Sequence, residues 1–401
     1  MSTYIRNPNL PCLHKQRGAV LMLMLIILVV GATTMMLNSL NSAAALSGRS
    51  GITSTALAQA REGLIGRATS DANHPGSLPC PDTINNGTAD VLVGGVCPSY
   101  IGRLPWKTLG LPNLRDESGE SLWYALSPNY RDFTNIINSN TPGTLQVYDS
   151  SGTTLLTPAG YEATAIIFAP GAIVGTQQRN AANQNSALNY LDIGPNNKDN
   201  SIGPFIAGNK TSSFNDRLMI ITTKEIISIV EKRINQELAS AFANYLPING
   251  NKYPYPATFS NCTSSSCPSD TASQPTCVGK IPFTNFGSLL PTWFSTNNWF
   301  DVVYYTASKA VLPLISGGMG GMGGMGMGAS GNSSCFNPIT VSSINVNALF
   351  ILPGVQLNGS GRLSLSSINL TSYFEDNANQ IIDASYVTPS ASSNDTLHKL
   401  P

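Results

Sequence analysis

The chain has 401 residues, 22 Lys plus Arg against 22 Asp plus Glu, and only 11% charged side chains, well under the roughly 25% of ordinary soluble domains. Zero net formal charge without a basic run removes the electrostatic support that nucleic acid or an anionic membrane surface would need. The length allows two domains with real cores.

The first predicted element is apolar. Ala19 to Leu37 carries no charge and is interrupted only by Gly31, Thr33 and Thr34. At about 1.5 Å per residue it spans roughly 28 Å, close to a bilayer's hydrocarbon core. It lacks the polar face of a soluble core helix. Arg6, Lys15 and Arg17 precede it, and no ionisable side chain follows until Arg49. The basic end is therefore expected to stay cytoplasmic and the bulk of the chain to be exported. Two fates are open. A secretory signal peptide has a shorter apolar region and a small-residue cleavage site, which "SAAALSG" at Ser42–Gly48 could supply. A retained anchor keeps the whole run.

"KQRG" followed at once by "AVLMLMLIILVV" resembles the class III leader of type IV prepilins and type II secretion pseudopilins. The resemblance covers roughly the first fifty to seventy residues. It implies cleavage by a prepilin peptidase between Gly18 and Ala19, with Ala19 the N-methylated first residue. It also implies a helix kept as single-pass inner-membrane anchor, a body that is periplasmic or part of an extracellular filament, and other pilin or pseudopilin subunits as partners. Most members carry Glu at the fifth mature position, which here is Leu23. Subunits lacking that carboxylate include the K-type tip pseudopilin, so the resemblance implies a minor, tip or priming subunit. A membrane-anchored or tip-located adhesin or binding protein with duplicated heads is the alternative, and an anchored periplasmic enzyme is a third, less favoured reading. "PGSLPCPD" and "GRLPWKTLGLPNLRDESGESLWYALSPNYRDF" also look like a group of large bacterial pilin-like proteins.

Next comes an amphipathic stretch, "GITSTALAQAREGLIGRATS", in which Leu57, Ala60, Leu64 and Ala68 form one helical stripe and Arg61, Glu62 and Arg67 lie off it. Pro75 ends the pattern. A second stripe, Ile226, Val230, Ile234, Leu238, Ala241, Phe242 and Tyr245, predicts a helix over 222–246, capped by Thr222 or Thr223 and stopped by Pro247, with Glu231, Lys232 and Glu237 outside the stripe.

The segments after each helix match. Gly102, Leu104 and Pro105 are answered by Gly279, Ile281 and Pro282; "ATAIIFAPGAIV" is answered by "VNALFILPGVQL", and Tyr190 by Tyr373. The last two matches share an offset of 183 residues. The expected fold is α+β: a long transmembrane, pilin-type helix followed by two duplicated helix-plus-antiparallel-sheet heads. The expected segments are a leader at 1–18, the anchor and extended helix at 19–74, a first head at 75–221, and a second helix and head at 222–401 with a Gly/Met-rich loop at 316–331.

Seven cysteines occur, and Cys12 falls in the leader. Cys80, Cys97, Cys262, Cys267, Cys277 and Cys335 form an even set, which export turns into a disulfide expectation. Zinc is the competing account, but no CxxC pair occurs and the only histidines past the leader are His74 and His398. Proximity pairs Cys80 with Cys97; the pairing of the other four is open.

Other chemistry is sparse. Met319, Met322, Met325 and Met327 could offer soft ligands to Cu(I), against the simpler reading of a flexible insertion. Asp192, Asn196, Asn197 and Asp199 lie in a Gly/Pro loop without EF-hand spacing, so an Asx-rich turn is the better account than calcium. Asp116, Glu117 and Glu120 read as a solvated turn, and Trp106, Trp123, Trp293 and Trp299 as core anchors. No G-x-S-x-G or triad pattern emerges, so no catalytic, cofactor or metal residue is assigned and the chain is not read as an enzyme.

Overall fold

The structure, a computed structural model, describes residues 51–132, 136–272, 275–314, 335–357 and 362–400. The first half contains α1 (Gly51–Ser70), β1 (Ile101–Arg103), β2 (Trp123–Leu126), β3 (Val147–Tyr148), β4 (Ala163–Ala169), β5 (Phe205–Ile206) and β6 (Arg217–Thr222). The second contains α2 (Thr223–Ile248), β7 (Val278–Lys280), the short α3 (Phe283–Phe286) and α4 (Thr292–Thr296), β8 (Tyr304–Ala307), β9 (Ile339–Val341), β10 (Ile344–Val346), β11 (Ala348–Leu352), β12 (Ser385–Tyr386) and β13 (Thr396–Leu400).

Periodicity explains both long helices. In α1 the stripe Leu57, Ala60, Leu64 and Ala68 is fully buried, together with Ala56 and Ile65. Arg61, off the stripe, reaches Glu225 of α2 at 2.6 Å. Glu225 is also half of a capping box: Thr222 Oγ1 accepts the Glu225 N–H, and the Glu225 carboxylate accepts the Thr222 N–H. Such a cap contributes about 1 kcal/mol. Two details of α2 differ from expectation. Glu231 is buried, because its carboxylate accepts the Gly354 N–H at 3.1 Å. The helix also runs past Pro247 to Ile248, since a proline in the last turn sacrifices only one terminal hydrogen bond.

Two four-stranded antiparallel sheets share one layout, β1-β2-β4-β6 and β7-β8-β11-β13. Their third strands, "ATAIIFA" and "ALFIL", are buried along their whole length, which accounts for continuous apolar runs rather than alternation. Backbone contacts repeat too. Ser127 N–H donates to Thr164 O and Ser308 N–H to Asn347 O, while Arg103 and Lys280 exchange paired backbone bonds with Asp82 and Ala257. Two small sheets complete the set, β3 paired parallel with β5, and β10-β9-β12 with β9 and β12 parallel.

The expected architecture is corrected. Among the described residues no helix is long and apolar enough to cross a membrane. The first described helix spans 20 residues, and its apolar stripe packs within its own body. Among the described residues the fold is mixed α/β with four sheets, and no long pilin-type helix is seen. One apolar cluster runs through both halves, from Ala56 and Leu57 through Tyr124, Ile167, Ile234 and Phe242 to Phe350 and Leu400. A second cluster, including Trp123, Ile166, Phe168, Tyr190 and Phe205, covers the other face of the first sheet. The apolar run at 19–37, with Gly18, Ala19 and Leu23, lies outside the described residues, as does the Gly/Met-rich segment 316–331.

Candidate functional site

Each third strand ends in Pro-Gly, and the turn that follows is built the same way twice. Gly171 and Gly354 have φ of +63° and +61°, and a Cβ on either would collide with the side chain of Asn215 or Asn394. Those two asparagines donate to Ala172 O and Val355 O. Arg179 then gathers carbonyls from Gly171 at 2.6 Å, Pro170, Asn189 and Tyr190, with its guanidinium 4.9 Å from the Tyr190 ring. Arg362 does the same with Gly354 at 2.8 Å, Pro353, Ser372 and Tyr373, 5.0 Å from the Tyr373 ring. Each turn's glycine N–H is captured by a buried carboxylate, Asp116 in the first half and Glu231 in the second.

Paired acids sit behind both turns. The Asp192 N–H donates to Asp216, and the Glu375 N–H to Asp395. Burial raises the pKa of Asp216 well above the carboxylate range, helped by Asp192, and burial pushes Asp395 up to about 8, helped by Glu375. One oxygen of Asp216 and one of Asp395 each accept a backbone N–H from the partner acid, while Asp216 Oδ1 and Asp395 Oδ1 are buried without a hydrogen-bond partner among the described residues.

The halves part at one position. Arg103 of β1 and Lys280 of β7 stand between the matched residues Gly102/Leu104 and Gly279/Ile281, and both are buried. Lys280 Nζ is held by Asp301 at 2.5 Å and Ser364 Oγ at 2.8 Å, with 2% of its side chain exposed. Arg103 is sandwiched between the rings of Trp123 and Tyr190, at 4.3 and 4.1 Å, and donates to the carbonyls of Ser121 and Gln184. Its Nε–H has no hydrogen-bond partner. Burial lowers the Arg103 pKa, opposed by Tyr190 and Glu120. Strand register makes Glu120 the counterpart of Asp301, three residues before the paired Trp123 and Tyr304. Its contact goes elsewhere, to Arg179 at 3.3 Å. Among the described residues no carboxylate lies within salt-bridge distance of Arg103.

Arg103 lines an open cleft of about 590 Å³. Arg179, Arg115 and Lys107 line it as well, against the single carboxylate of Glu120. Arg115 and Lys107 donate to the carbonyls of Gly119 and Asn86. Neutral amides (Asn85, Asn86, Asn113, Asn180 and Gln184) supply much of the remaining wall. The half-exposed indole of Trp106 lies against Gly87, whose φ of +84° and lack of a Cβ permit the close approach. Backbone bonding from Lys107 N–H to Gly87 O fixes that contact.

The structure sorts the sequence candidates. Cys80–Cys97, Cys262–Cys267 and Cys277–Cys335 are disulfides. Trp123, Trp293 and Trp299 are buried, but Trp106 is a wall of the cleft. Asp116 is buried and caps its own turn, taking the Ser118 and Glu120 N–H groups, while Glu120 pairs with Arg179; the solvated-turn reading is corrected there. Asp192 accepts Gln177, Asn215 and Asp216 donors, and Asp199 accepts the Ser201 N–H and hydroxyl, an Asx arrangement without a gathered oxygen cage. Asp71, His74 and Asp132 come within 4.8 Å of one another, the one such cluster among the described residues. Arg67 already bridges both carboxylates, at 2.5 and 2.7 Å, so the charge a cation would supply is in place. Sequence reasoning missed Arg103, yet its position was visible as a cation between matched Gly and Leu/Ile in "GRLP" and "GKIP".

Comparison of the chain with protein-family models, curated proteins and solved structures returned no match.

Proposed function

We propose that this protein is an exported, membrane-tethered subunit of a type IV pilus or type II secretion-like filament, acting in low copy at a tip or priming position. The observation that carries the proposal is that all six cysteines beyond the leader-like segment are paired, which fits an oxidising compartment outside the cytoplasm. "KQRG" before the apolar run supplies the tether and its processing point, and Leu23 in place of the usual carboxylate supports a non-repeating position. Mass spectrometry of the mature N-terminus tests it. The expected species begins at N-methyl-Ala19; an N-terminus near Leu46 would remove the whole apolar run and end the filament reading. Purified filaments in which this chain is the most abundant subunit would overturn the tip assignment.

A second reading, a presented binding protein, is favoured by a specific observation: one half opens a cationic cleft where the other half closes the equivalent position with an ion pair.

A further inference from the structure

The two halves place a buried cation at one strand position, so the fold itself tolerates that cation only with help. In the second half the help is internal, from Asp301 and Ser364. In the first half the equivalent carboxylate, Glu120, contacts Arg179 instead, and Arg103 keeps a charge that is 96% shielded from solvent without an ion-pair partner. Two carbonyls and two ring faces hold that charge without neutralising it, and low-dielectric walls strengthen the field it projects into the cleft. Arg115 and Lys107 add two more cations at the rim that make no salt bridge among the described residues. The cleft therefore carries four cations against one carboxylate and attracts an anion.

The rest of the wall narrows the ligand. Inorganic anions need only cations and N–H donors. Here the wall also offers side-chain amides, each a paired donor and acceptor suited to hydroxyl groups, and the half-buried Trp106 indole, with Lys107 Nζ 5.1 Å from its ring centroid, as an apolar plane for the C–H face of a sugar. A volume of about 590 Å³ is in the range that holds a small-molecule ligand rather than a single ion. We propose that this cleft binds an acidic saccharide: a carboxylate directed to Arg103 and Arg115, hydroxyls to the amides of Asn113 and Gln184, and a sugar face to Trp106. The site deepens the second reading above and stands apart from the first, because leader processing and ligand binding are read out separately.

The test uses the full chain purified in a non-glycosidic detergent, titrated calorimetrically with matched pairs of probes. These are trigalacturonate against maltotriose and sialyllactose against lactose, with inorganic phosphate as the bare anion. At least one acidic sugar should bind at least ten-fold more tightly than its neutral partner, and 0.5 M NaCl should weaken it. Arg115→Ala, at an exposed position, should weaken it at least ten-fold while leaving the thermal unfolding midpoint near that of the parent, and Trp106→Ala should weaken it at least ten-fold at a temperature where the variant is folded. Equal binding of neutral and acidic sugars, binding of phosphate but of no saccharide, or no binding by any probe would each overturn the assignment. A mature chain starting at N-methyl-Ala19 with an empty cleft would separate this failure from that of the filament reading.

Discussion

The two halves use one scaffold and treat its buried cation in opposite ways. In the second, Lys280 is neutralised by Asp301 and hydrogen-bonded to Ser364. In the first, Arg103 is held by two aromatic faces and two carbonyls, and the space beside it is open. The architecture of turns around it is unchanged, down to the arginine that gathers each Pro-Gly turn. What differs is which cation the counterpart carboxylate chooses. Stability and binding are thus separated between two copies of one plan: the closed copy satisfies its charge internally, and the open copy leaves it for a ligand.

The largest expected effect breaks the closed copy. Asp301→Ala leaves the buried Lys280 ammonium with Ser364 Oγ but no ion-pair partner, and breaking a buried pair costs about 3–5 kcal/mol. Glu120→Ala, its counterpart, removes a longer contact, 3.3 Å, from an arginine that keeps its carbonyls, so its cost should be clearly smaller. Urea unfolding of both variants checks the asymmetry, and similar losses would break it.

Disulfides give the next contrast. Cys277–Cys335 closes a separation of 58 residues in the second half and Cys80–Cys97 one of 17 in the first. Chain entropy assigns them about 4 and about 3 kcal/mol. Paired Cys→Ser replacements should lower unfolding midpoints in that order; the reverse order would show that the native packing around each bridge, rather than its loop, sets the effect.

Titration sharpens the comparison further. Burial pushes Glu231 up to about 8, from an ordinary value of 4.5, and Asp395 to about 8 from 3.8. The folded chain keeps protons that the unfolded chain releases above about pH 4–5, so these groups stabilise the fold most at low pH, and that contribution declines as pH rises to about 8. Glu231→Gln, which keeps a side-chain acceptor for the Gly354 N–H, should flatten the fall in unfolding free energy between about pH 5 and 8. An unchanged slope would assign the pH dependence to the paired acids instead.

How much of this was visible in the sequence depends on range. Helical stripes, the Thr222 cap and the Cys80–Cys97 bridge rest on residues close in sequence, and periodicity or proximity reaches them. The matched Pro-Gly turns were legible because a φ above zero restricts residue choice in both copies. The architecture was not. An amphipathic stripe on α1 says that one face is buried, but not that the partner is the chain's own sheet and α2. Glu231 looked solvated because its acceptor role depends on Gly354, 123 residues away. Trp106 looked like core for the same reason: only the folded loops at 85–87, 113–121 and 179–190 make a wall with it. The choice Glu120 makes between Arg103 and Arg179 is a matter of ångströms, which no spacing rule contains.

The central claim is that Arg103 is kept for a ligand and Lys280 for the fold, and it is tested most directly by the unfolding free energies of Arg103→Met and Lys280→Met measured side by side. Methionine retains the apolar stem of either residue without its charge. Removing Arg103 forfeits two carbonyl hydrogen bonds and two ring contacts but strands no carboxylate, at about 1–2 kcal/mol, whereas removing Lys280 strips Asp301 and Ser364 of their shared donor and should cost at least about 2 kcal/mol more. Arg103→Met as destabilising as Lys280→Met would contradict the account and return both cations to the same structural role.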